Sequence, residues 1–270
     1  MPIATGSQAL AADVINLGQG IYGDGSDGDV VIAGNPTNLA RDMFYDDLTV
    51  PAGKSICTKG FRIFVNGTLI IAATGSIHNN GGTATSYIGG LATTIGTLGI
   101  SGAGGNETAA GTSVNPSLGG SGGAGGAAGG AGGAGGVATA ALSGGRALPV
   151  TISGFETFSL LKILGGGGGG GGYGTGEQGG GGGGGGGPVV IAARTITNSG
   201  TIESNGGDGD DADSANNGGG GGGGGGFLLL TYHWATFNTE QALGGAFGNG
   251  AGTGQNGVAG SVGKVIKLAS

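Results

Sequence analysis

Two short stretches concentrate the residue types that ligate hard cations. DGSDGD, residues 24–29, sets Asp24, Asp27 and Asp29 in a glycine-rich turn, where carboxylate oxygens could gather around calcium. The plainer reading is preferred: Asp and Gly dominate turns for backbone reasons alone. GGDGDDADS, residues 206–214, fits one copy of the Gly-Gly-x-Gly-x-Asp calcium repeat. That repeat works in tandem, because its ligands come from successive turns, and here it occurs once with Ala212 at the apolar position. Asp208, Asp210, Asp211 and Asp213, with Asn216 beyond them, are read instead as a solvated loop suited to touching a partner.

Other chemistry has less to rest on. His78 and His233 are the only histidines, and neither has a Cys or His at metal-ligand spacing. Cys57 is the single cysteine and forms no intramolecular disulfide. The Gly-x-Ser-x-Gly match at residues 119–123, GGSGG, lies inside a glycine-alanine tract and is not read as a nucleophile elbow. No Gly-Lys-Ser/Thr follows the glycine runs, so they are not phosphate loops. Glu156, Glu177, Glu203 and Glu240 could pair as glycosidase carboxylates do, yet nothing in their spacing says so. The expectation is a protein that is not an enzyme and takes no metal or cofactor.

Charge and hydropathy exclude further classes. The net charge is −7, and the nine Lys and Arg, among them Arg41, Lys54, Lys59, Arg62, Arg194, Lys264 and Lys267, are scattered. Nucleic-acid binding needs clustered basic residues, so no nucleic acid is expected. No stretch approaches the roughly 18 apolar residues of a membrane span, so no membrane insertion is expected. The start, MPIATGSQALAADVINLGQG, lacks the basic and apolar regions of a signal peptide, which suggests synthesis in a cytoplasm.

The elements that would hold such loops fall into three zones. Residues 1–20 contain a short helix pattern with Leu10, Val14 and Leu17 on one face, expected to be an attachment segment. Residues 21–100 form a β-rich zone, with strands expected at 30–33, 47–50, 55–58, 61–65, 68–72 and 75–78, separated by Gly, Asn or Pro. No helical pattern lies between them, which suits a β-solenoid or sandwich. Residues 101–270 alternate glycine tracts with apolar strands at 148–152, 158–164, 188–192, 195–202, 227–234 and 264–268. IIAATGSIHNNGG from Ile70 and VVIAARTITNSGTIESNGG from Val189 form a weak internal repeat.

The glycine tracts dominate the composition, with 77 glycines in 270 residues. There is no strict Gly-X-Y order, and only 9% of the residues are charged, which separates the chain from collagen and from ordinary disorder. Runs of eight or nine glycines, bracketed by LLKIL, PVVIAA and FLLLTYHW, point to ordered packing. In GGSGGAGGAAGGAGGAGG, residues 119–136, the non-glycine positions recur every third residue with one slip. Three residues per turn is the period of the polyproline II helix, so the tracts are expected to be packed polyglycine II helices beside short strands. The turn YGTGEQ, with Tyr173, Thr175, Glu177 and Gln178, is expected to be exposed, as are loops at 208–217 and 238–247. TYHWATF, residues 231–237, is expected to be mostly core.

Glycine runs broken by YGTGEQ and DGDDADSANN resemble the tail-fibre tip adhesins of T-even-like bacteriophages. The β-rich lead resembles β-solenoid segments of phage tail and particle-surface proteins. The resemblance implies a virion structural protein on the particle exterior, with the loops as receptor contacts and residues 1–20 docked on other virion proteins. It implies a bacterial surface receptor as partner, and a homotrimer is the expected state of a fibre tip. A capsid decoration protein or head fibre is the nearest alternative. An ice-binding protein is a third, opposed by the irregular loops and by Thr off the three-residue period.

Overall fold

The computed structural model describes residues 20–93, 96–98, 101–107, 109, 111, 126, 178–213 and 216–270. Within them are eleven strands: β1 (Gly28–Val31), β2 (Thr37–Asn38), β3 (Met43–Val50), β4 (Ser55–Cys57), β5 (Arg62–Ile71), β6 (Ser76–His78), β7 (Pro188–Asn198), β8 (Thr201–Glu203), β9 (Phe227–Thr236), β10 (Thr239–Gln241) and β11 (Lys264–Ala269). Helix is confined to one turn at residues 20–22 among the described residues. The described residues form an all-β structure, and their strands alternate between two sheets. Odd-numbered strands form one in the order β1-β3-β5-β7-β9-β11, and even-numbered strands the other in the order β10-β8-β6-β4-β2. Every pairing between strands is parallel. The aligned, antiparallel pairing of a sandwich is therefore absent from these strands.

Consecutive long and short strands make one level of the molecule, and side chains stack between levels. Ile56, Ile77 and Ile202 are register partners on β4, β6 and β8, and all are fully buried. Ile63, Ile191 and Leu230 form a second column, and Leu48, Leu69 and Ile196 a third. Burying one such side chain stabilises by about 1.5–3 kcal/mol. β7 and β9 open as unbroken apolar runs, because both faces of the long sheet are covered there. Val189 and Leu228 face the space between the sheets, while Val190, Phe227 and Leu229 pack with Leu98 on the other side.

The two expected strands at 61–65 and 68–72 are one strand, β5, bent at an irregularity between Val65 and Thr68. The expected strand 195–202 divides into the end of β7 and the first two residues of β8, because Ser199 and Gly200 turn the chain from one sheet to the other. The two repeat copies lie on neighbouring levels, with Ser76, Ile77 and His78 opposite Thr201, Ile202 and Glu203. Pairing crosses residue 100 freely, since β5 joins β7 and β6 joins β8.

The two described glycine runs bond to different neighbours in turn. Gly180, Gly183 and Gly186 donate their N–H groups to the carbonyls of Gly218, Gly221 and Gly224 at 3.0, 2.8 and 2.9 Å. Gly181, Gly184 and Gly187 donate to Ser86, Gly82 and Asn79, and Gly182 and Gly185 to Gly105 and Gly102. Each third residue thus serves the same neighbour. The later run repeats the pattern: Gly219, Gly222 and Gly225 donate to Gln255, Val258 and Ser261, while Gly220, Gly223 and Gly226 donate to Asp210, Gly207 and Ser204. A methyl at Gly180, Gly181, Gly183, Gly184, Gly186 or Gly187, or at Gly219, Gly220, Gly222, Gly223, Gly225 or Gly226, would meet neighbouring atoms closer than 3.0 Å. The outermost segment needs glycine only at one position in three: a methyl at Gly254, Gly257, Gly260 or Gly263 would meet the backbone of Asn217, Gly220, Gly223 or Gly226. The residues between them, such as Gln255, Val258 and Val262, are exposed.

Candidate functional site

Each of the last three short strands, β6, β8 and β10, ends where the chain leaves the sheets, and polar side chains fix the exit. The Asn205 N–H donates to Asn80 Oδ1 at 2.8 Å, and the Leu243 N–H donates to Asn205 Oδ1 at 2.8 Å. Glu203 gathers the same junction, accepting from Asn80 at 2.7 Å, Asn205 at 3.0 Å and Gln241 at 3.1 Å. His78 is the register partner of Glu203. Burial holds its imidazole below the ordinary value of 6.5, with the Glu203 charge opposing and Lys59 adding to the shift.

Beyond the exit the ladder continues at every third residue. Asp208 Oδ1 accepts the Ala246 N–H at 2.7 Å, and Asp211 Oδ1 accepts the Asn249 N–H at 2.6 Å. Asn205, Asp208 and Asp211 therefore act on one face, each tying its level to the next. Asp210, one residue off that face, reaches the other way and accepts the Ser86 N–H. At the turn, Asn216 Oδ1 accepts from the Thr253 N–H at 3.2 Å and hydroxyl at 2.7 Å. The Asn217 amide donates to the Gln178 carbonyl at 3.1 Å.

These contacts draw five parts of the chain to the end of the glycine segments farthest from the strands. They are residues 85–88, residues 106–107, the start of the first described run at Gln178, residues 211–213 and 216–217, and residues 249–256. Glu107 donates its N–H to the Tyr87 carbonyl, and Gly89 donates to Asn106 Oδ1 at 2.7 Å. Tyr87 and Ile88 are exposed there, as are Gln178, Asp211, Asp213, Asn216 and Thr253. Among the described residues of the glycine-rich segments there is no Lys or Arg, whereas Glu107 and four aspartates are present.

Of the receptor-contact residues expected from sequence, Gln178, Asp211, Asp213 and Asn216 are exposed in this cluster. Asp208 serves the ladder below it, and Asp210 accepts the Ser86 N–H on the opposite side. Tyr173, Thr175 and Glu177 lie outside the described residues, as do Leu10, Val14 and Leu17. The loops at 85–88 and 249–256 were missed. The second had a readable signal, the Gly-x-x spacing from Gly254 that brings the chain back to the sheets. In the loop expected at 238–247, residues 239–241 are instead strand β10. TYHWATF is only partly core: Tyr232 and Phe237 pack edge-to-face at 5.1 Å, but His233 is exposed and Trp234 is 67% exposed. The cover on the outer face of the long sheet protects the first half of β9 and stops short of Trp234.

The three carboxylates of DGSDGD lie by β1 and diverge. Asp27 pairs with Arg41 and accepts the Phe44 N–H at 2.7 Å; Asp24 accepts the Ser26 N–H at 3.0 Å; Asp29 accepts the Asp47 N–H at 3.2 Å. The Arg41 hydrogen bond holds the Asp27 carboxyl below the usual carboxylate range. Among the described residues no three His, Cys, Asp or Glu side chains converge as a metal site. Comparison of the chain with family models, curated proteins and solved structures finds no match.

Proposed function

We propose that this chain is a bacteriophage virion protein on the particle exterior, and that its clustered loops contact the bacterial surface during host attachment. In this reading the two alternating parallel sheets are a β-solenoid, and the glycine segments are polyglycine II helices that project from it. A nine-residue run then holds its loop about 28 Å from the strands, at about 3.1 Å per residue. The observation that carries the proposal is the convergence of residues 85–88, 106–107, 211–213, 216–217 and 249–256 on a backbone scaffold in which each third residue bonds to the same neighbour. Loops already held in place lose little freedom on binding. Exposed Tyr87 and Ile88 offer apolar contact area among polar side chains.

The test is location and competition. An antibody raised against the purified chain is used to label virions for electron microscopy, and the purified chain is added to host cells before infection. Label at the tail end, with infection reduced by the chain, is the expected result. Label spread over the head, with no competition, would make the protein a capsid decoration or head fibre. Virions without label would remove it from the particle.

A further inference from the structure

We propose that the cleft between residues 20–24 and the outer face of the long sheet binds a small neutral sugar, one or two pyranose rings in size. The cleft has a volume of about 400 Å³ and is lined by Gly20, Gly23 and Asp24 from the chain leading into β1, by Phe44 on β3 and by Asn66 on β5. Ligand pockets run from about 300 to 1,000 Å³ and combine an apolar wall with a few well-placed polar groups. This cleft shares no residue with the loop cluster and is independent of any role in attachment.

Each wall is fixed by the fold. Tyr22 is buried against Phe64 and Ala192 and anchors the lead-in chain over the sheet. Gly23 has a φ of +83°, and a Cβ there would meet Phe64 Cβ at 2.8 Å, so the chain passes as bare backbone. Phe44 stacks on Phe64, with ring centroids 4.9 Å apart and planes 4° apart. Asn66 is gripped from two sides: its Nδ2 donates to Asp46 Oδ1 at 3.3 Å, and its Oδ1 accepts from Arg194 Nη2 at 3.2 Å. Arg194 also donates Nε to the Asn66 carbonyl at 2.8 Å and lies 5.5 Å from the centre of the Tyr22 ring. Groups held in advance lose little freedom when a ligand arrives.

The chemistry on these walls selects a neutral polyol. Asp24 is exposed, makes no ion pair among the described residues, and accepts the N–H of Ser26 two positions on. Hydrogen bonding to Ser26 holds its carboxyl below the usual 3.8, so it is an ionised acceptor at neutral pH. A carboxylate has room to accept from neighbouring hydroxyls as well. Asn66 Nδ2 carries two N–H groups, and its bond to Asp46 uses one of them. Phe44 supplies an aromatic ring, whose negative face attracts the C–H side of a pyranose. An anion would meet the Asp24 carboxylate, with no Lys or Arg among the described lining residues. A cation would meet the guanidinium of Arg194 behind Asn66. A sugar is uncharged, with hydroxyls at its edge and an apolar face, and suits all three side chains.

The experiment is calorimetric titration and saturation-transfer NMR of the full chain with the methyl glycosides of glucose, galactose, mannose, rhamnose and N-acetylglucosamine. Choline and glucuronate serve as charged controls. Saturable binding of at least one glycoside is expected, with transfer strongest to ring C–H protons and weaker binding of both controls. Asp24→Ala should weaken it about tenfold, the loss of a hydrogen bond to a charged acceptor. Gly20→Leu should abolish it by filling the cleft, at a position where an added Cβ meets nothing within 4 Å. Tyr87→Ala, in the loop cluster, should leave it unchanged. No saturable binding of any of the glycosides would overturn the proposal. So would tighter binding of choline or glucuronate, or sugar binding that Tyr87→Ala removes, or that Asp24→Ala and Gly20→Leu leave intact.

Discussion

A methyl group added at Gly183 would meet the carbonyl of Gly207, and one at Gly223 the carbonyl of Gly184. Both obstacles are backbone, so neither can swing aside. Gly183→Ala should destabilise the fold by about 1–3 kcal/mol or more through overpacking, read as a fall in the urea midpoint. Gly20→Ala is the control, since nothing lies within 4 Å of its Cβ position. His78 gives a separate residue-scale prediction. Its folded-state pKa lies below 6.5 because it is buried. As pH falls through 6.5 the unfolded chain takes a proton before the folded one does, so stability is full above that value and declines below it. His78→Gln should flatten the change in melting temperature between pH 7.5 and 5.5 that the native chain shows. Asp27 acts at lower pH. Its depressed carboxyl contributes stability above the ordinary value of 3.8, and this is lost as pH falls toward the lowered value. Asp27→Asn should therefore narrow the acid sensitivity of unfolding below about pH 4.

At the scale of elements, the ladder of Asn205, Asp208 and Asp211 registers one glycine segment against the next. Asp208→Ala and Asp211→Ala remove acceptors for the Ala246 and Asn249 N–H groups. Each should cost about 0.5–1.5 kcal/mol, the net worth of one exposed hydrogen bond. Hydrogen exchange at the residue 246 and 249 amides should accelerate in these variants while the Leu228 amide stays protected. This ladder was not legible in the sequence, where the same aspartates look like cation ligands or a free loop. Composition shows which residue types are present, but not that a side chain every third residue faces the neighbouring level. The strands were more legible. PVVIAA and FLLL stand out because both faces are covered, and the Ile70 and Val189 repeats fall on adjacent levels. β2 and β10 were missed because two or three polar residues carry no pattern of their own; their pairing with β4 and β8 makes them strands.

Across the whole molecule, the long sheet supplies most of the apolar burial and the glycine segments supply most of the reach. The amides of residues 180–187 and of Gly219, Gly220, Gly222, Gly223, Gly225 and Gly226 should exchange far more slowly than those of a flexible glycine linker, because the carbonyls they bond to are part of the fold. Rapid exchange there would remove the packed-helix reading while leaving the sheets intact. The bare backbone contact also has an evolutionary consequence. Every amino-acid replacement of an interior glycine adds atoms where none fit, so these tracts are closed to gradual change. Asp213, Thr253 and Gln255 are exposed and carry no such restriction. A library randomised at those positions should yield many folded variants, and one randomised in residues 180–187 almost none. Diversity would then be channelled into the outermost loops, letting the contact surface vary rapidly on a support that can scarcely vary at all.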